Sequence, residues 1–262
     1  MDPIKFRCKE CHKRVEAQYT LDSVRASLAR QEDTIIFALI ERAKFPLNNF
    51  GHNRLFGSDE YIGSMINGLV LKTEAVQSKA GRYINPEENP FFPENLPPSA
   101  APDYPFSEFL QGAGASININ KEIWEVYFHE LIPMFIKCGD DGNHAQSVLA
   151  DLTLLQAISR RIHYGKFVAE VKFRESPKIY EPLIRAKDSE GLMDELSSES
   201  VEERVVKRVE RKATVFGQEV SLEYDVSGDT YMINSVASKL YKKYLIPLTK
   251  KVQVEYLLKR LD

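Results

Sequence analysis

Residues 159–173 read SRRIHYGKFVAEVKF, setting Arg161 and Lys172 eleven residues apart with no proline between them. At about 100° per residue, eleven residues make roughly three turns, so on one helix both cations project from the same face about 16 Å apart along the axis. Two cations on a helix face ordinarily mark a solvated surface. Here the neighbouring positions include Ile162, Phe167, Val168, Ala169 and Val171. That apolar setting points to a buried anion clamp within a helical protein.

The helix expected around this stretch runs over residues 145–174. A tight loop, Gly139-Asp140-Asp141-Gly142-Asn143, precedes it. Further upstream, SININ at 116–120 supplies capping side chains for the helix NKEIWEVYFHELIPMFIK. Residues 85–105 hold seven of the thirteen prolines and predict an extended, irregular connection. Its aromatics Phe91, Phe92, Tyr104 and Phe106 tie it to the body of the protein. Over 21–44, Leu21, Val24, Leu28, Ile35, Leu39 and Ile40 recur at spacings of three, four and seven, which predicts an amphipathic helix. Phe45-Pro46 ends it, a Gly- and Asn-rich loop follows, and a second helix is expected over 60–82. Downstream come shorter helices over 177–197, another over 199–217, and a last one over 232–262 that Pro247 kinks or breaks. Strand-like alternation is confined to 219–224, and there is no internal repeat. The sequence predicts an all-α fold of about ten helices, the long ones packed as a bundle with the site inside. It forms one domain over 21–262, preceded by a mobile tail over 1–20.

Of the 262 residues, 43% are hydrophobic and 28% charged, enough apolar material for a real core. The 35 basic and 38 acidic residues leave a net charge of −3 with no basic block, which argues against nucleic acid as a partner. No apolar run approaches the roughly 18 residues of a membrane span. The first twenty residues lack both the apolar core of a signal peptide and the Ser-rich, acid-poor make-up of a transit peptide, so the cytosol is the expected compartment. Three cysteines, Cys8, Cys11 and Cys138, argue against a disulfide framework. Cys8, Cys11 and His12 match the C-x-x-C-H pattern of covalent haem attachment. No export signal precedes them, and no further ligands lie at zinc-finger spacing, so a reduced tail without haem or metal is expected.

Several segments together carry a resemblance: LDSVRASLARQEDTIIFALIERAKF, NPEENPFFPE, INKEIW, GDDGN, SRRIHYGKFVAEVKF, VEERV and IPLTKKVQVEYLLKRLD. Over 21–262 the chain resembles the all-helical chorismate mutases of plants and fungi, nearest to the plant cytosolic form. The resemblance implies an isomerase that converts chorismate to prephenate on the way to phenylalanine and tyrosine. It implies no cofactor and no metal, and a homodimer. In this Claisen rearrangement an ether C–O bond breaks while a C–C bond forms. The protein can contribute confinement of a chair-like conformer and stabilisation of charge on the ether oxygen. A non-catalytic scaffold that kept the fold would be favoured were a cation of the clamp missing. The same catalyst exported to act on another organism's chorismate is a further alternative.

By the family's pattern, Arg25 and Arg161 bind the two carboxylates of chorismate, and Lys172 reaches the ether oxygen and a carboxylate. Glu202 accepts the ring hydroxyl, Thr249 touches a carboxylate, and Gln253 donates to the ether oxygen. Ser198, one turn before Glu202, stands where fungal enzymes have asparagine and holds a weaker substrate contact. Fungal enzymes have glutamate at the position of Gln253, which must be protonated to donate, whereas an amide donates at any pH. Regulated relatives bind aromatic amino acids between subunits with an arginine pair and a loop reading roughly G-N-x-G-S. This chain keeps one cation there, Arg82 after Gly81, and reads Gly142-Asn143-His144-Ala145-Gln146-Ser147 in the loop. Gln146 replaces the glycine, and its side chain intrudes on the effector. The expectation is a weak or absent response to tryptophan and tyrosine, with Arg82, Asn143, Gln146 and Ser147 as the remnant of an effector site.

Overall fold

The computed structural model describes residues 19–48, 65–102, 109–218 and 233–262. Residues 1–18 of the expected tail, with Cys8, Cys11 and His12, and the strand-like stretch 219–224 lie outside them; the tail's Tyr19 and Thr20 lie inside. Among the described residues the regular structure is helical, with no strand. Helix α1 spans Leu21–Ala43. Thr20 Oγ1 accepts from the Ser23 N–H at 3.2 Å while Ser23 Oγ accepts from the Thr20 N–H at 2.9 Å. This reciprocal pair satisfies donors that the first helical turn leaves open. Val24, Ile35, Ile36 and Leu39 are fully buried, so the apolar stripe read from the sequence is the packed face.

Helix α2, Met65–Lys79, stops short of the expected 82 because Gly81 turns the chain at φ 86° into a single 3-10 turn, Arg82–Ile84. Over its described residues, 85–102, the proline-rich connection is irregular apart from a 3-10 turn at Pro93–Asn95. It is anchored where Glu74 accepts from the Phe91 and Phe92 N–H groups at 2.8 and 3.0 Å, and where both rings meet Trp124 edge-on. Lys166 adds a further tether, donating from Nζ to Asn89 Oδ1 and to the carbonyls of Ala115 and Ile117.

Helix α3 starts as Asn120–Val126, widens into a π turn at Tyr127–Leu131 and resumes as Ile132–Phe135. Its expected cap is only partly as read. Asn118 Oδ1 accepts from the Asn120 N–H, whereas Ser116 Oγ turns back to the Ala113 carbonyl. The expected 145–174 helix is two: α4, His144–His163, and α5, Gly165–Glu175, parted at Tyr164. The chain tightens there, the Phe167 N–H reaching back only three residues to the Tyr164 carbonyl. Helices α6, Pro177–Arg185, and α7, Ser189–Leu196, are followed by α8, Glu199–Phe216. Helix α9 runs Asn234–Leu240, a π turn at Tyr241–Leu245, and Ile246–Leu258.

Both π turns sit just before a proline. Ile132 and Ile246, preceding Pro133 and Pro247, donate five residues back to Tyr127 and Tyr241. A proline lacks the N–H and crowds the carbonyl four residues back, and widening by one residue relieves both. Pro247 therefore neither breaks the last helix nor leaves its ladder open.

Helices α4, α5 and α9 form the centre. Helix α1 packs along α4, α8 bridges α1 and α9, and α6 and α7 close the far side. Arg42 of α1 and Asp151 of α4 meet at 2.5 Å with both side chains fully buried, and Tyr127 donates to the same carboxylate at 2.7 Å. That network fixes α1, α3 and α4 against one another. Removing either charge would strand its partner in the core.

Candidate active site

A cavity of about 450 Å³ opens between α1, the α4–α5 junction, the start of α8 and the second half of α9. Each helix presents one stripe to it. Leu21, Arg25, Leu28 and Glu32 come from α1; Val201, Glu202, Val205 and Arg208 from α8; Ile246, Thr249, Lys250 and Gln253 from α9. These are the three- and four-residue steps of a helix face. Arg161 comes from the last turn of α4, and Val168 and Lys172 from α5. The break at Tyr164 costs the stripe little, because Tyr164 keeps φ −61° and ψ −14°, close to helical values. Arg161 and Lys172 thus line the same cavity although they sit on two helices.

Gly165 makes the closure possible. A Cβ there would lie 2.8 Å from the Thr249 carbonyl oxygen and 3.1 Å from Thr249 Cγ2. Bare backbone at 165 lets α5 approach α9 closely enough to bring Lys172 and Gln253 to one space.

Arg25, Arg161, Lys172, Ser198, Glu202, Thr249 and Gln253, separated by up to 228 positions in sequence (253 − 25), all line this cavity. Arg161 is 5% exposed, and burial pushes its pKa down. Its Nη1 donates to Thr249 Oγ1 at 3.3 Å, its Nε has no partner, and the Tyr241 ring lies 5.9 Å from its guanidinium carbon. The nearby Glu32 does not neutralise it, because Arg208 takes both Glu32 oxygens at 2.8 and 2.5 Å and Lys212 adds a third contact. Burial also lowers the pKa of Lys172, and the charge of Arg25 adds to the effect. The Lys172 ammonium donates to the Leu196 carbonyl at 3.2 Å. Asp33, a conceivable partner for Arg25, pairs with Lys212 instead. Among the described residues no carboxylate comes within ion-pair distance of Arg25, Arg161 or Lys172. Gln253 is 6% exposed; its amide donates to the Thr249 carbonyl at 3.3 Å and its Oε1 has no partner.

The sequence reading did not single out Glu32, Arg204, Arg208 and Lys250, which also line the cavity. A helical projection of VEERVVKR would have put Arg208 on the stripe of Val201 and Val205. LTKK sets Lys250 beside Thr249 and one turn before Gln253. The four residues of the expected effector remnant lie elsewhere. Arg82 binds Glu88 through Nε and Nη2 at 3.0 and 2.8 Å and Gln156 through Nη1 at 2.8 Å. Asn143 precedes α4 and bonds to Asp141, Gln146 is exposed on its first turn, and Ser147 is buried with its hydroxyl on the His144 carbonyl.

Three cations with no carboxylate at ion-pair distance, beside neutral donors and two carboxylates that are themselves paired with other cations, define a helical protein built to enclose a small organic dianion. Comparison with known proteins narrows the class. The family model for chorismate mutase type II matches residues 145–254. Chorismate mutase 2 of Arabidopsis thaliana is 54% identical over 93% of this chain and 94% of its own length. Cytosolic chorismate mutase 2 of Zea mays is 46% identical over 94% and 97%. The crystal structure of AtCM1 with phenylalanine bound in its allosteric site superposes with a TM-score of 0.85 at 45% identity, covering 95% of this chain and 99% of that one. The chain belongs to the chorismate mutase family.

Proposed function

We propose that this protein is the catalyst its family membership implies, an isomerase that rearranges chorismate to prephenate, with residues 21–262 as the catalytic domain. The observation that carries this reading is the uncompensated positive charge of Arg25, Arg161 and Lys172 around one cavity. A scaffold protein gains nothing from a buried guanidinium such as Arg161 with no carboxylate to pair with, which destabilises the fold. A dianion supplies the missing charge. In this reading Arg25, at the mouth, and Arg161, at the floor, each take one carboxylate, the planar guanidinium matching it in bidentate fashion. Thr249 assists Arg161. Lys172 and the Gln253 amide converge on the ether oxygen, where negative charge grows as the C–O bond breaks. Donors fixed there before reaction stabilise the transition state more than the ground state. Glu202 accepts from the ring hydroxyl, and Ser198, which lines the cavity just before α8, adds a lesser contact. No proton transfer is required, so no residue needs to change protonation state during turnover.

The test is loss of chorismate absorbance with purified protein. Turnover is the expected result, and none from folded protein with the clamp intact would favour the scaffold. We also propose a homodimer. Val76 on α2 and Leu149 on α4, two helices that pack together, are 69% and 52% exposed, apolar side chains that a second copy would cover. Sedimentation showing a monomer would overturn this. Cytosolic residence is proposed on the similarity to the cytosolic maize enzyme, although chloroplastic forms occur among the relatives. Imaging of the full chain fused to a fluorescent protein decides between the two compartments.

A further inference from the structure

Lys250 lines the cavity but has no place in the scheme above. It sits on α9 between Thr249 and Gln253, and its ammonium crosses to the opposite wall. There it donates to Glu202 Oε1 at 2.9 Å and to Ser197 Oγ at 3.1 Å. Ser197 Oγ directs its own hydrogen to the Met193 carbonyl at 2.7 Å, so a lone pair is left for the ammonium. One residue earlier, the Leu196 carbonyl accepts from Lys172 at 3.2 Å. Two lysines from two different helices therefore grip the corner between α7 and α8, the corner that sets the position of Ser198 and Glu202.

We infer that Lys250 is a positioning residue for this reaction, holding the Glu202 carboxylate where it accepts the substrate's ring hydroxyl. Glu202 stands in the first turn of α8 with its side chain 31% exposed. Without a partner, such a side chain samples several rotamers and is hydrated in most of them. Lys250 is its ion-pair partner, and its own side chain is 21% exposed, so the pair is shielded more than an ordinary surface pair. The contact engages Oε1 and leaves Oε2 to accept from a ligand. Lys250 acts on the substrate only through Glu202. Its effect falls equally on bound substrate and transition state, because the hydroxyl does not take part in bond making or breaking.

This inference rests on the proposed mutase activity and is tested with the full-length protein. Lys250→Ala should raise KM about tenfold, the worth of a hydrogen bond to a charged group, with kcat little changed. Lys250→Arg, which can grip the same carboxylate, should restore most of the loss. The double variant Lys250→Ala with Glu202→Gln should be no weaker than Glu202→Gln alone, since a residue acting through Glu202 has nothing left to position. A chorismate analogue lacking the ring hydroxyl should not distinguish Lys250→Ala from the wild type. An unchanged KM in Lys250→Ala, or single penalties that multiply in the double variant, would overturn the inference while leaving the mutase reading intact. A wild-type protein without turnover removes both.

Discussion

The three cations of the clamp differ in what their loss should do. In the proposed reading Lys172 and Gln253 donate to the oxygen where charge develops, and losing one such donor typically costs on the order of 3–4 kcal/mol in the barrier. Lys172→Ala and Gln253→Ala should each lower kcat about a hundredfold or more, and a Lys172→Ala protein with normal turnover would sink the assignment of the site. Arg161→Ala should raise KM as well, because a charge-assisted bond to a carboxylate holds the ground state too. The pH dependence follows from the same residues. The Gln253 amide does not titrate, so activity should not collapse between pH 6 and 8 as it would with a glutamic acid in its place. The alkaline limb belongs to Lys172, whose pKa burial lowers, so kcat/KM should decline below the ordinary lysine range. His163 governs stability at the acid end. Burial and the neighbouring Lys166 charge hold its pKa at about 3, while its Nε2 accepts from the Ile119 N–H at 2.9 Å. Above about pH 6.5 it is neutral both folded and unfolded. As pH falls from there toward 3 the unfolded chain takes up a proton that the folded one refuses, so stability is lost at up to about 1.4 kcal/mol per pH unit. Urea unfolding midpoints should fall across that window, and His163→Gln, which keeps an acceptor for Ile119, should flatten the fall. Arg161 and Lys172 were legible from their spacing on one helix face in an apolar setting, whereas Arg25, Ser198, Glu202, Thr249 and Gln253 were reached only through the family resemblance. Lys250 was not legible, because one lysine in LTKK looks like any solvated helix charge until α8 is laid against α9.

At the scale of elements, the apolar period gave most of the helices. On α1 the residues read as a core stripe are those that are buried, or, for Leu21 and Leu28, those that line the cavity. Periodicity did not reveal three features, because an apolar pattern over a few turns shows which face is buried but not where the winding locally tightens or widens. These features are the tightening at Tyr164 and the two π turns. The prolines flagged the places of the π turns but not their outcome. The break at Tyr164 matters most because Gly165 follows it. In Gly165→Ala the added methyl meets the Thr249 carbonyl at 2.8 Å, so one of the two backbones must shift. Overpacking of this kind costs about 1–3 kcal/mol. The strain falls on the segment of α9 that carries Thr249 and Gln253. The variant should fold with a lower melting temperature and lose at least about tenfold in kcat, out of proportion to its stability. Wild-type turnover in a protein of lowered stability would show that the close approach serves packing alone.

For the whole molecule the open question is whether the cavity answers to a second site. AtCM1 binds phenylalanine in an allosteric site, and the residues that the family resemblance assigns to an effector site in this chain have two features that should oppose binding. The guanidinium of Arg82 is already engaged, with Glu88 supplying the carboxylate that an amino acid would otherwise bring. Gln146 is exposed on the first turn of α4, at the position where the resemblance leads one to expect a glycine in a regulated enzyme. Arg82 touches α4 at Gln156, ten residues from Gln146, which is about 15 Å along a helix. No free amino acid spans both within one chain, so an effector site using both needs two copies in register. Even then the ligand must displace Glu88 and fit beside a side chain where backbone alone is wanted. Turnover should therefore be unaffected by tryptophan, tyrosine or phenylalanine, and a several-fold change with any of them at sub-millimolar concentration would refute this reading. Reversing both alterations gives the stricter test. Glu88→Gln alone should stay unresponsive, since Gln146 still intrudes, and Gln146→Gly alone should stay unresponsive, since Arg82 is still paired. The double variant should acquire a response if these two contacts are what silence the site. A double variant as unresponsive as the wild type would place the cause in the path between the site and the cavity.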